Sequence, residues 1–248
     1  NITKLSIEIG RKSREIVFAN ADLEIAIKSI VASRIIFSVK VCNCTDRVYV
    51  KKSVQYKFTE MLTKAMQAVS YGDPMAEQAP DMSCQVSAEQ QQKIARMVDT
   101  ARQEGATVLT GGKIPDMPGG YFYEPTLLGN CRQDMEIVRK EVFGPVLPLL
   151  GFDDVEEAID LANDCEYGLT SAIFTTNINT TMRCLNRLKF GETYVNRESF
   201  EAMQGFHAGW RKSGIGGADG KHGLIEYLQT QVPYVEREKP GLLLIRRP

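Results

Sequence analysis

Between residues 22 and 36 the apolar side chains Leu23, Ile27, Ile30 and Val31 recur three and four positions apart, with Arg34 on the same stripe. Asp22 stands where an N-cap belongs, so the pattern predicts an amphipathic helix. A second stripe, Phe58, Leu62, Ala65, Met66 and Val69, predicts another. Ser87 and Gln90 have capping-box spacing ahead of a third helix carrying Ile94, Met97, Val98 and Ala101, and Gly105 stops it. Runs of strand character alternate with these helices: "IEIG" (7–10), "RVYV" (47–50), "ATVLTGG" (106–112), "VLPLLGF" (146–152), "LTSAIFTT" (169–176) and "ETYVN" (192–196). "DVEEAIDLAN" and "NTTMRCLNRL" read as further helices, "YFYEPTLL" as extended chain and "YGDPMAEQAPDMSCQ" as a loop. The alternation predicts an α/β fold with a largely parallel sheet flanked by helices. The last residues, "PGLLLIRRP", break the pattern and read as an edge strand or an unfolded appendage.

A chain of 248 residues holds one large domain or two modest ones. Its 30 basic and 31 acidic residues balance to a net charge of -1, which gives no footprint for a nucleic acid or an anionic membrane as main partner. No stretch approaches the ~20 apolar residues that a membrane span needs. The opening "NITKLSIEIGRKSR" lacks the order of a signal peptide and an initiator Met, so a processed chain or part of a longer one is expected. The six cysteines are scattered and read as reduced thiols in a cytoplasmic protein, which makes the sequons at Asn1, Asn43 and Asn179 chance matches.

The stretch "FSVKVCNCTDRVYV" (37–50) carries the first candidate chemistry. Cys42 and Cys44 flank Asn43 between a helix and a strand, as a nucleophile, a metal ligand or two small buried thiols. Tetrahedral zinc takes four ligands, no second cysteine pair exists, and His207 and His222 lie far away in sequence, so no metal is expected. The glycine cluster "SGIGGADGKHG" fails both phosphate-loop spacings, because Asp219, Ile215 and His222 stand at required positions. His207, with Phe206, Trp210 and Glu201 nearby in sequence, suits a pocket for a small polar molecule. Glu8 alone reads as a solvated acid at a strand end.

Taken together, "KEVFGPVLPLLGFDDVEEAIDLANDCEYGLTSAIFTT" and "LKFGETYVNRESFEAMQGFHAGWRKSGIGGADGKHGLIEYLQTQV" are similar to the NAD-dependent aldehyde dehydrogenase superfamily, and most of all to its enzymes for small hydroxyaldehydes. The likeness spans roughly residues 1 to 236 and is densest from about 140 to 232. It implies that Cys42, not Cys44, is the nucleophile and that Glu8, 34 positions earlier, is the general base. It further implies that Glu141 and Phe143 meet the nicotinamide end of NAD, and that Asn43, Glu201 and His207 line the aldehyde pocket. The division implied is a remnant coenzyme-domain strand at 1–10, a catalytic domain at 11–227, an oligomerisation strand at 228–236 and a tail at 237–248. Partners implied are a small aldehyde and either further copies of the chain or a missing coenzyme-domain half.

Two departures bear on function. Arg11 stands where the family has a glycine after the base, and Val39-Lys40 where it has Gly-Gln before the nucleophile. A side chain is expected to crowd the backbone at each. Three readings follow: a catalytic half that works with its missing part, a non-catalytic relic or interaction module that keeps the fold, and a thiol esterase using Cys42 without cofactor.

Overall fold

The computed structural model describes residues 3–235. The expected tail at 237–248, and Glu236 of the expected oligomerisation strand, lie outside the described residues.

The elements run β1 (Ile7–Glu8), β2 (Arg14–Val17), α1 (Leu23–Ile35), β3 (Arg47–Lys51), α2 (Lys52–Gln67), α3 (Ala88–Gln103), β4 (Thr107–Thr110), β5 (Thr126–Gly129), α4 (Glu136–Arg139) and β6 (Val146–Phe152). They continue with α5 (Val155–Asn163), β7 (Tyr167–Gly168), β8 (Thr170–Phe174), α6 (Ile178–Arg187), β9 (Glu192–Val195), β10 (Trp210–Arg211), β11 (Gly214–Ile215) and α7 (Gly220–Glu226). Seven strands make one sheet in the order β4-β5-β6-β3-β2-β8-β9. Every neighbouring pair in it is parallel except β4–β5. The α/β expectation holds.

Period-two alternation sends neighbouring strand residues to opposite faces. Val17, Val48, Val50, Leu147 and Leu149 pack with Ile27 and Ile30 of α1 and Phe58, Leu62 and Met66 of α2. Ile16, Tyr49, Leu150 and Ile173 pack on the other face, with Ile94 and Val98 of α3, Ile159 of α5 and Cys184 of α6. Both faces are therefore covered, as a parallel sheet requires. Asp22 caps α1 by accepting from the Glu24 and Ile25 amides. Among the described residues no helix is long and apolar enough to cross a membrane.

Two features depart from the sequence reading. The central strand β2, "REIV", was not among the strands expected, because two of its four residues are charged; Arg14 and Glu15 are nevertheless fully buried. The capping box forms only halfway. Ser87 accepts from the Gln90 amide, but the Gln90 side chain donates to the Val142 and Phe143 carbonyls instead of returning to the cap. Residues 228–235, the described part of the expected oligomerisation strand, pair with no strand among the described residues, and Val232, Tyr234 and Val235 are exposed.

Two small antiparallel ladders bring distant segments to one edge of the sheet. β1 pairs with β11 through Ile7↔Ile215 and Glu8↔Gly214, and β7 pairs with β10. These ladders anchor the glycine-rich segment beside Glu8.

Candidate active site

Cys42 sits in a turn between α1 and β3, half-buried. The approach to it is strained. Phe37, Ser38 and Val39 have φ of 47, 53 and 68°, three successive L-residues in left-handed space. Only glycine adopts that region freely, and a β-branched residue there costs about 1–3 kcal/mol. Val39 is thus a poor stand-in for glycine, as expected. Lys40 is not crowded: its ammonium reaches out to donate to the Cys84 carbonyl at 2.9 Å. Ser38 Oγ accepts the Ser83 amide at 2.7 Å, so the 83–84 segment clamps the strained turn.

Next to the turn lies His207. Its Nε2 is 3.5 Å from Cys42 Sγ and 3.9 Å from a Glu8 carboxylate oxygen. Its Nδ1 is 3.1 Å from Glu192 Oε1. The imidazole is pushed well above its ordinary pKa, first by the hydrogen bond to Cys42 and then by the one to Glu192, against the opposing effect of burial. Asn43 Nδ2 donates to Glu201 Oε2 one residue along. Cys44 is fully buried, and burial pushes its thiol up despite nearby Arg11 and Arg34.

The sequence distance between His207 and the cysteine pair therefore misled. Among the described residues Glu8, Cys42 and His207 are the only three His, Cys, Asp or Glu groups whose donor atoms all lie within 4.8 Å of one another. Within this group the thiol and imidazole are in hydrogen-bond contact, and the Glu8 carboxylate lies at ion-pair distance from the ring.

Glu141 and Phe143 form a second group, held by Arg11. The Arg11 guanidinium is almost wholly buried; Nε lies 2.9 Å from Asp46 Oδ2 and 3.5 Å from Glu141 Oε1. Its carbon stands 5.0 Å over the Phe143 ring, which is a cation–π contact. Crowding at Arg11 was expected; instead the fold has a place for it. Gly10 before it has φ of 65°, and a Cβ there would lie 2.5 Å from the Tyr167 ring, so this glycine is required.

Asp46 is the hub below. It also pairs with Arg34 at 2.8 Å, and its carboxyl is held far below the usual range by Arg11, Arg34 and Lys12, which outweigh burial. Sequence reasoning placed Arg34 on the apolar stripe of α1 but missed this cluster, because Arg14, Asp46 and Arg47 look like ordinary surface charges. It also missed Glu192, although strand alternation puts Glu192 and Tyr194 on one face of β9.

Two clefts flank the site. One of about 440 Å³ runs along β1 and β11, lined by Ile7, Ile9, Tyr167 and Ile215, and Cys42 does not face it. The other, about 520 Å³, is lined by Lys93, Arg96, Lys140, Glu141 and Tyr167. Lys93, Arg96 and Lys140 stand there among two carboxylates, Glu141 and a Glu136 that pairs with Lys140 at 2.8 Å, so the cleft suits a polar ligand, and Glu141 can accept hydrogen bonds from hydroxyl groups. A ligand reaching Glu141 and Phe143 would have to displace the Arg11 contacts to both.

The sequence profile of the aldehyde dehydrogenase family matches residues 1–232. Lactaldehyde dehydrogenase of Escherichia coli K12 is 55% identical over 236 residues, covering 95% of this chain and 49% of the relative. A crystal structure of lactaldehyde dehydrogenase from Escherichia coli superposes with a TM-score of 0.91 at 55% identity, over 94% of this chain and 49% of that one. Betaine aldehyde dehydrogenase from Staphylococcus aureus in complex with NAD+ gives 0.88 at 37% identity, over 92% and 46%. The chain spans about half the length of the relatives it matches.

Proposed function

The chain belongs to the aldehyde dehydrogenase family, and from that premise we propose that it is a catalytic half for oxidising small hydroxyaldehydes to acids with NAD, Cys42 being the nucleophile. The observation that carries the reading is the contrast between the two thiols of one turn. Cys42 is half-buried beside Glu8 and His207, whereas Cys44 is sealed in the core.

In this reading the Cys42 thiolate adds to the aldehyde carbonyl and forms a thiohemiacetal. The chemistry that NAD supplies when bound is hydride acceptance. Glu141 and Phe143 would hold its nicotinamide end. Glu8 removes a proton from the water that releases the acid from Cys42. The Asn43–Glu201 pair and His207 present polar atoms to a substrate hydroxyl.

The non-catalytic reading has its own support. Arg11 already occupies Glu141 and Phe143, and Val39 strains the turn before Cys42. We therefore expect the 248 residues alone to be slow, because placing a cofactor needs more than one end of it. The test is NADH formation from glycolaldehyde at saturating NAD, with Cys42→Ala as control and with the remaining part of a full-length relative added in trans. Turnover that requires both Cys42 and the added part supports the catalytic half. No turnover in any combination supports the non-catalytic module.

A further inference from the structure

We infer that Cys42, His207 and Glu192 form a proton relay, in which His207 Nε2 receives the Cys42 thiol proton and Glu192 is the residue that positions the ring. The inference rests on the reading of Cys42 as nucleophile and adds to it the group that activates the thiol.

Ring chemistry supports the relay. Glu192 Oε1, 3.1 Å from Nδ1, is an acceptor, so Nδ1 carries hydrogen. In the neutral ring Nε2 then presents its lone pair, and 3.5 Å away lies Cys42 Sγ. Nucleophile, base and orienting carboxylate stand in the order that activates thiols and hydroxyls elsewhere. In the transfer the S–H bond breaks, an N–H bond forms at Nε2 and the electron pair stays on sulfur. No co-reactant is needed.

The ring is held for this purpose. His207 is buried, and its amide and carbonyl both bond Ala218, at 2.9 and 2.8 Å. A Cβ at Gly217 would lie 2.4 Å from the His207 carbonyl oxygen, so only glycine permits that approach. Glu192 Oε2 accepts from the Tyr194 hydroxyl at 2.8 Å, which fixes the carboxylate that fixes the ring.

The charges facing the relay favour the ion pair. Glu8 on β1 lies 3.9 Å from the same Nε2, and Glu201 is held off by Asn43. Arg197 lies over the Tyr194 ring at 5.8 Å. Among the described residues neither Glu8 nor Glu192 has an ion-pair partner other than His207. An imidazolium there meets two carboxylates and a thiolate, which agrees with the upward displacement of its titration. Glu8 is left as the base for water, so thiol activation and water activation belong to different residues.

The test is the pH–rate profile of Cys42 alkylation by iodoacetamide in the 248-residue chain, read by peptide mass mapping. With His207→Gln the rate at neutral pH should fall by about tenfold or more, because an unassisted thiol is only a few per cent thiolate there. The rate should recover at alkaline pH, where hydroxide removes the proton. Glu192→Gln should move the profile the same way but less. Added imidazole should restore neutral-pH labelling in His207→Ala, an effect a misfolded variant cannot show. Circular dichroism and unchanged labelling of Cys165 establish that each variant is folded. Wild-type rates at every pH in folded His207→Gln would overturn the relay. So would losses that persist at alkaline pH without imidazole rescue. If wild-type Cys42 is not labelled ahead of the other thiols, the nucleophile reading falls as well, a result distinct from the other two.

Discussion

Arg11 Nε lies 2.9 Å from Asp46 Oδ2, and both side chains are at most 1% exposed. Asp46 holds Arg34 as well. One buried carboxylate thus answers two guanidinium groups beneath the Cys42 turn, while several nitrogens of Arg11, Arg14, Arg34 and Arg47 have no hydrogen-bond partner. Removing one member of a buried pair leaves an uncompensated charge. Asp46→Asn should therefore destabilise the chain by roughly 3–5 kcal/mol, read as a lower urea midpoint at unchanged slope. A loss near zero would mean that water reaches the cluster.

Glu15, in the middle of the sheet, gives a pH signature. Burial raises its carboxyl to about 8 from an ordinary 4.5, although the Thr45 and Ser199 hydroxyls donate to it. Between those values the folded chain holds a proton that the unfolded chain has lost, so stability falls as pH rises. Buried Lys12, lowered to about 7 mainly by burial, acts in the opposite sense above neutrality. The difference between wild type and Glu15→Gln isolates the first effect. Melting temperatures of the two should diverge progressively from about pH 5 to 8, with the variant higher at alkaline pH. Parallel curves would contradict the burial of an ionisable Glu15.

Val39 tests the strained turn. Replacing a buried valine by glycine ordinarily removes about 1.5–3 kcal/mol of burial and adds a backbone entropy cost. Release from left-handed space returns about 1–3 kcal/mol. Val39→Gly should then be close to neutral, whereas Val48→Gly in β3, with no such strain, should cost several kcal/mol. Urea midpoints of both variants decide it. Equal losses would show that the turn stores nothing.

How much of this was legible in the sequence depended on which force set each residue's place. The helices over Phe58 and Ile94 announced themselves because apolar periodicity and burial coincide, and the one over Leu23 did so through its Asp22 cap and the Ile27–Ile30 stripe, although Ile25 is exposed and Arg34 buried. Strand β2 did not, because Arg14 and Glu15 are buried against pattern. Arg14 lies over the Phe190 ring at 4.2 Å, a contact between residues 176 positions apart in sequence. The residues expected at the site fell into two groups, Cys42 with Glu8 and His207, and Glu141 with Phe143 around Arg11. Resemblance supplied those names. It could not supply Glu192, whose meaning appears only once β9 lies beside the loop that carries His207.

The central claim is that Cys42 is the thiol that meets the aldehyde, and brief, limiting alkylation of the six free cysteines with peptide mass mapping tests it most directly. Its strongest rival is Cys165, half-buried, whose thiol Arg14 and Arg47 pull down against the opposing effect of burial. Cys42 should be labelled first, and glycolaldehyde, present before the reagent, should slow Cys42 alone. First labelling of Cys165 or Cys84, or no protection of Cys42 by the aldehyde, would contradict it.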